Sequence, residues 1–271
     1  MKRFLWVGVI FSGSLFAEEK AKDYPKVAAA LVPSIEAMAA GQSAGPVQIP
    51  WRLYVPEGAK PGGEEKFPLI FFLHGAGMRG SDNVGPMSLA RTFWNEKQKE
   101  FPCFILAPQC PKGATWTPLP FADESRTGRG NYEAEEQPKP VMQAALNVLD
   151  EVIAKWPVDK KRIYVMGMSM GGYGTWEALM RRPQLWAAAV PICGGGDPAR
   201  VVTYKDVPIW VWHGANDTTV PPVNSRTLVE ALKKAGGAPK YTELERVNHG
   251  SWEPAFSTPE LYTWLFAQKR P

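Results

Sequence analysis

The sequence predicts an α/β fold in which helices cover both faces of one mostly parallel central sheet. Three observations carry that reading. Short unbroken apolar runs, each bounded by turn residues, recur along the chain, as strands buried on both faces require. Segments with apolar residues at helical spacing fall between them. Strands that alternate with helices of ten or more residues are joined by right-handed crossovers, which makes neighbouring strands parallel.

The first strong strand is Phe67–Leu73, after a turn cluster of Gly, Pro, Lys and Glu at residues 57–66. Four more apolar runs read as strands, at 104–107, 162–166, 187–192 and 207–212, and a last candidate lies at 241–244. Residues 47–55 are rich in β-formers and supply one or two early strands. The clearest helix carries Val141, Ala145, Val148, Leu149, Val152 and Trp156 on one face. A second helical stretch runs from Tyr173 to Arg182. A third, from Val223 to Lys234, stops at Gly236 and Gly237. Residues 25–40 read as a helical lead-in interrupted by Pro33. The expected organisation is therefore a leader at 1–17, a lead-in through 18–46 and one catalytic domain at 47–271.

The leader rests on Lys2 and Arg3, followed by an apolar run from Phe4 to Phe16 that suits a secretory signal but is short for a membrane span. Ala17 offers a small residue at the cleavage point, although Leu15 is larger than usual for its position. The expected location is the periplasm or the medium, with no stable membrane insertion after cleavage. Loss of Lys2 and Arg3 lowers the formal net charge from +4 to +2, which gives no electrostatic reason to expect a nucleic-acid partner. Cys103, Cys110 and Cys193 lack zinc-ligand spacing. Cys103 and Cys110 flank one strand, too far apart to bridge, and all three read as small apolar fillers. No metal and no cofactor is expected.

Reactive residues in such a sheet gather in loops at the carboxyl ends of the strands. The 162–166 strand runs into Gly167, Ser169 and Gly171 in a GxSxG pattern, with a helical stretch behind it. In that setting the pattern is a nucleophile elbow. Glycines flank the serine because a Cβ there would collide, and the serine hydroxyl projects from a strained backbone. A serine hydroxyl needs a base, and the base needs an orienting acid. Of the three histidines, His74 and His213 each end an apolar strand ahead of a glycine and read as sharp-turn elements beneath the site. His249 lies in a loop after the last strand, where it has the reach of a base. Asp217 follows the 207–212 strand, whereas Asp206 precedes it and Asp197 sits in a Gly-rich turn. The chain order Ser169, Asp217, His249 completes a candidate catalytic triad. The oxyanion needs two fixed donors, for which Met170 N–H and Ala76 N–H are the candidates.

The segments Leu73–Gly77, Gly167–Trp176, Pro191–Gly196 and His213–Asp217 together resemble secreted bacterial carboxylesterases of the α/β-hydrolase superfamily. Their relatives include polyhydroxybutyrate-depolymerase-like, feruloyl-esterase-like and dienelactone-hydrolase-like enzymes. The resemblance spans roughly residues 47–267 and implies an α/β-hydrolase fold and serine esterase chemistry. Ser169 stands where dienelactone hydrolases carry cysteine, which argues for ordinary esters. Two other readings compete. One is a peptidase with a prolyl-oligopeptidase catalytic domain, for whose large gating domain this length leaves no room. The other is a non-catalytic binder, which would typically have lost a triad residue.

Residues 111–140 are the longest irregular insertion, dense in Pro, Gly and charge, including Asp123, Glu124, Arg126 and Arg129. The insertion follows the 104–107 strand and is therefore expected to border the pocket. It lacks the sustained apolar face of a lipase lid. An open polar cleft is expected, with Trp116 and Trp252 as flat surfaces for a sugar or aromatic ring. The expected partner is a small-molecule or carbohydrate-linked ester of short-acyl or cinnamoyl type.

Overall fold

The computed structural model describes residues 39–87, 97–118 and 130–271, all within the unit Pro33–Pro271. The expected leader, most of the expected lead-in and the centre of the 111–140 insertion, residues 119–129, lie outside the described residues. Among the described residues, eight strands form one sheet: β1 (Ala39–Gln42), β2 (Pro50–Tyr54), β3 (Phe67–Leu73), β4 (Phe104–Pro108), β5 (Val158–Met168), β6 (Ala188–Ile192), β7 (Trp210–Gly214) and β8 (Lys240–Leu244). Their order is β1-β2-β4-β3-β5-β6-β7-β8. The β1–β2 and β2–β4 pairs are antiparallel, and every pair from β4 to β8 is parallel.

Alternate residues of each strand face opposite sides, so the apolar runs supply two cores. Leu69, Phe71, Leu106, Val165 and Val211 pack on one face. Helices α1 (Pro140–Lys155), α2 (Met170–Arg181) and α3 (Val223–Lys234) cover it with Leu149, Leu179 and Leu228. On the other face Ile70, Phe72, Ile105, Met166 and Val190 meet Phe256, Leu261 and Leu265. Those three belong to α4 (Trp252–Ser257) and α5 (Pro259–Ala267), short helices that the apolar period does not announce. Pro259 opens α5, where its missing N–H costs nothing. Among the described residues no helix is long and apolar enough to cross a membrane.

One expectation is corrected. Ala39 and Ala40, read as the end of a helical lead-in, pair with Leu53 and Arg52 in β1, so the sheet begins upstream of residue 47. The cause is tertiary. Gly41 has no side chain, and a Cβ there would lie 2.5 Å from the Trp51 ring that packs across it. Pairing with β2 overrides the helix propensity of the alanines. Cys103, Cys110 and Cys193 are buried free thiols.

The closest backbone approach sets the position of α2. A Cβ on Gly171 would lie 1.8 Å from the Leu73 carbonyl oxygen, and one on Gly172 would lie 2.2 Å from that of Ile192. The first turn of the helix is thus wedged between the ends of β3 and β6. A Gly171→Ala chain is expected to lose about 3 kcal/mol or more of stability, because neither backbone can yield cheaply. Gly77, with nothing within 4 Å of an added Cβ, is the control. Gly77→Ala should change stability by less than about 0.5 kcal/mol. Urea denaturation checks both, and equal midpoints for the two variants would refute the wedge.

Candidate active site

Ser169 occupies the turn between β5 and α2 with φ 56° and ψ −120°. A non-glycine residue in this region costs on the order of 1–3 kcal/mol, which the packed surroundings must offset. Ser169 N–H donates to Ile192 O at 2.9 Å, and its carbonyl accepts from Tyr173 N–H at 3.0 Å. Although it stands at the N-cap of α2, its hydroxyl does not cap the helix. It points instead at His249, whose Nε2 lies 2.8 Å from Ser169 Oγ.

His249 Nδ1 lies 2.7 Å from Asp217 Oδ2. A carboxylate only accepts, so Nδ1 carries the proton and Nε2 is free to accept from the serine. Two backbone contacts hold the Asp217 and His249 loops together: Ala215 N–H donates to Leu244 O at 3.0 Å and Asn216 N–H to Val247 O at 3.0 Å. Gly214 permits this, since a Cβ there would lie 2.2 Å from Asn248 O.

The Asp217 side chain is fully buried. Its Oδ1 accepts from the N–H groups of Thr219 at 2.8 Å and Val220 at 2.9 Å. His213, also buried, places Nε2 3.4 Å from Asp217 Oδ2 and 2.9 Å from Val220 O, while Nδ1 meets Ser225 Oγ at 2.7 Å. Burial alone would raise the Asp217 pKa. Hydrogen bonds from His213, His249 and Val220 outweigh it and hold the carboxyl well below the usual carboxylate range. The folded environment therefore favours the ionised acid. Asp197 serves a different purpose: its two oxygens accept from Ala199 and Ala134 N–H, at 2.8 and 2.9 Å. Asp206 is exposed beside Lys205, ahead of β7.

Ala76 begins a short 3-10 turn (Ala76–Met78) after β3, and Met170 begins α2, so each carries an N–H from a first helical turn. Gly75, between β3 and Ala76, lies against the serine, with an added Cβ 3.6 Å from Ser169 Cβ. The loop is held from below. His74 Nε2 accepts from Cys110 N–H at 2.9 Å, so Nδ1 is protonated and donates to Gly75 O at 2.7 Å. Because a trans peptide points its C=O and N–H in opposite directions, this bond turns Ala76 N–H away from His74. Arg79 Nε adds a bond to Ala76 O at 3.0 Å.

Trp116 is a correction. It is fully buried, donates Nε1–H to His74 O at 3.0 Å and packs edge-on against the His74 ring. It braces the loop that carries Ala76 and offers no face to a substrate. Trp252 is half-buried and stands edge-on to the His249 ring, with centroids 5.4 Å apart. The described end of the 111–140 insertion is pinned down as well. Asn131 bridges Gly196 N–H and Asn224 O, Tyr132 O–H donates to buried Glu177, and Arg181 reaches the carbonyls of Glu135 and Glu136. His74 and His213 lie beneath the site, as their place at strand ends predicts, whereas Arg79 and Cys193 are site residues whose place the sequence did not disclose. Two surface cavities of about 330 and 390 Å³ near Asp206 lie at the opposite end of the sheet from Ser169.

Comparison with known proteins agrees with this fold. A thermostable esterase of known structure superposes with a TM-score of 0.78 at 41% identity, over 87% of this chain and 64% of that one. The chain has the α/β-hydrolase fold. Within this fold, residues 134–207 match the prolyl oligopeptidase family, a stretch that holds the serine turn but neither Asp217 nor His249. A bifunctional acetylxylan esterase/xylanase of Neocallimastix patriciarum is 26% identical over 51% of the chain and 20% of its own length. A poly(3-hydroxyalkanoate) depolymerase C of Paucimonas lemoignei is 25% identical over 43% of the chain and 36% of its own length. The chain thus spans about a fifth to a third of the curated relatives it matches.

The His74 network generates a pH prediction. Burial, with the nearby Arg79 charge, lowers the His74 pKa to about 4 against the bond that Nδ1–H donates to Gly75 O. The unfolded chain binds a proton at this residue below about 6.5, and the folded chain only below about 4. The stability gained from neutral His74 is therefore complete above that window and is lost as pH falls through it, by about 3 kcal/mol. Denaturation midpoints at a series of pH values should show this slope in the native chain and a flatter one in His74→Gln. Parallel profiles would contradict the assignment.

Proposed function

We propose that the chain is an exported serine hydrolase that cleaves carboxylic esters through an acyl-enzyme. The observation that carries this reading is the unbroken line from Ser169 Oγ through His249 to Asp217, at 2.8 and 2.7 Å. Ser169 Oγ attacks the ester carbonyl as its proton passes to His249 Nε2. Asp217 holds the ring in the accepting tautomer and stabilises the imidazolium. Ala76 and Met170 N–H donate to the oxyanion. The tetrahedral adduct collapses, the alcohol leaves with the proton from His249, and water then releases the acid by the same route. No cofactor takes part.

Similarity to the thermostable esterase supports the ester reading. Similarity to the acetylxylan esterase supports a short acyl group on a carbohydrate, and Trp252 beside His249 supplies a flat apolar surface for a sugar ring. The apolar leader supports export to the periplasm or the medium. The substrate is a small or carbohydrate-linked ester, with no nucleic acid involved. The prolyl oligopeptidase match favours a second reading, a peptidase that uses the same acyl-enzyme chemistry on an amide. Comparison of matched ester and anilide substrates separates the two.

Ser169→Ala should lower kcat by on the order of 10⁶, and Asp217→Asn by on the order of 10⁴ because the amide favours the wrong His249 tautomer. Steady-state kinetics with a fluorophosphonate labelling control checks both. Activity of Ser169→Ala above a small residue, or a silent Asp217→Asn beside a damaging Asp197→Asn, would overturn the assignment. For the substrate, kcat/KM measured from acetyl to palmitoyl esters should peak at short chains, with no jump when the ester forms an emulsion. A maximum at dodecanoyl or longer would contradict the short-acyl reading.

A further inference from the structure

We propose that Cys193, Asp217 and His249 form a binding site for a thiophilic divalent cation such as Zn²⁺ or Cd²⁺, and that occupying it stops ester hydrolysis. The inhibition rests on the function proposed above, whereas the binding does not.

The cysteine thiol, an Asp217 carboxylate oxygen and a His249 ring nitrogen all lie within 4.8 Å of one another. Tetrahedral zinc, with bonds of about 2.0–2.3 Å, needs its ligand atoms roughly 3.3–3.8 Å apart. The Asp217–His249 pair, now at 2.7 Å, must open to admit it. The spacing of the cysteines along the chain excludes a zinc motif, but the fold assembles one of every ligand type from three separate loops. Cys193 follows β6 at φ 40°, fixed by its N–H donating to Trp212 O at 2.8 Å. Asp217 follows β7, and His249 lies beyond β8.

A second observation points to the same place. Ser251 is fully buried, and its hydroxyl has no well-aligned hydrogen-bond partner among the described residues. It lies beside the Cys193 thiol. The mechanism proposed above gives this hydroxyl no task. With a cation present it could supply the fourth oxygen, directly or through a water.

Charge favours the occupant. A dication, one carboxylate and one thiolate sum to zero, which a buried site tolerates far better than an isolated charge. A thiol binds a cation as the thiolate, so the cation must displace the Cys193 proton. That proton goes to solvent, and a cation on Nδ1 of His249 moves the ring proton to Nε2. An imidazole with Nε2 protonated cannot accept the proton of Ser169 Oγ. Asp217 is withdrawn from the ring at the same time. Inhibition thus acts through the tautomer, without blocking the serine. His249 has 22% of its side chain exposed, against none for Asp217, so entry is from the histidine side.

The test titrates the full chain with Cd²⁺ and follows the ultraviolet thiolate-to-cadmium charge-transfer band, with Zn²⁺ inhibition of ester hydrolysis measured in parallel. The band is expected in the native chain and in Ser169→Ala, and absent from Cys193→Ala. Cys193→Ser keeps the side-chain volume and serves if the alanine variant does not fold. Zn²⁺ inhibition should be reversed by a chelator and weakened at least about tenfold in either variant, the least that loss of an outer-shell partner costs. Equal bands, or equal Zn²⁺ sensitivities, in the native chain and the Cys193 variants would overturn the site. A Cys193-dependent band that leaves the rate unchanged overturns the inhibition. The same band in a chain that hydrolyses no ester supports the site and sinks the ester reading instead.

Discussion

The backbone contact between the first turn of α2 and the ends of β3 and β6 is the constraint on which the candidate site depends. Gly171 and Gly172 allow it, because any side chain at either position would overlap a strand carbonyl. The contact holds Ser169 at positive φ and leaves its hydroxyl uncapped. It also brings the β3 end, and with it Gly75 and Ala76, against the serine. The candidate nucleophile and the candidate oxyanion donor are thereby positioned by one packing event between rigid elements, which is the precision that preorganised chemistry needs.

The remainder of the site is anchored on Asp217. One buried carboxylate accepts from two backbone N–H groups, from His249 and more distantly from His213. Each donor fixes a different piece: Thr219 and Val220 shape the acid's own loop, His213 ties it to α3 through Ser225, and His249 carries the line to Ser169. Breaking such a buried array by removing one partner leaves charge unpaired, which is far costlier than the loss of an exposed ion pair. By contrast, the Arg226–Glu243 pair at the surface holds together only groups that remain accessible to solvent.

Much of this is legible in the sequence, and for definite reasons. Runs such as Phe67–Leu73 announce strands because both faces are buried, and the serine turn announces itself because Gly167, Ser169 and Gly171 form a compact pattern, although the backbone that Gly171 must clear belongs to β3. The loops that carry Asp217 and His249 follow from the rule that strand ends converge. What the sequence hides is set by contacts between distant segments. β1 exists through its pairing with β2 and the Trp51 ring over Gly41. Trp116 reads as a surface ring beside the insertion, but the space over Gly174 and the His74 carbonyl draws it inside. Cys193 reads as apolar filler, and only the folded sheet sets it beside Asp217 and His249.

The central claim is that Ser169, activated through His249 and Asp217, forms a covalent acyl intermediate. The most direct measurement mixes the full chain with an activated short-chain ester, quenches in acid and maps the acyl group by peptide mass spectrometry. The account predicts one acyl group per chain, on the peptide that contains Ser169, and none on that peptide after His249→Ala. An acyl group on Cys193, or turnover that leaves no acylated peptide even when hydrolysis of the intermediate is slowed, would contradict it.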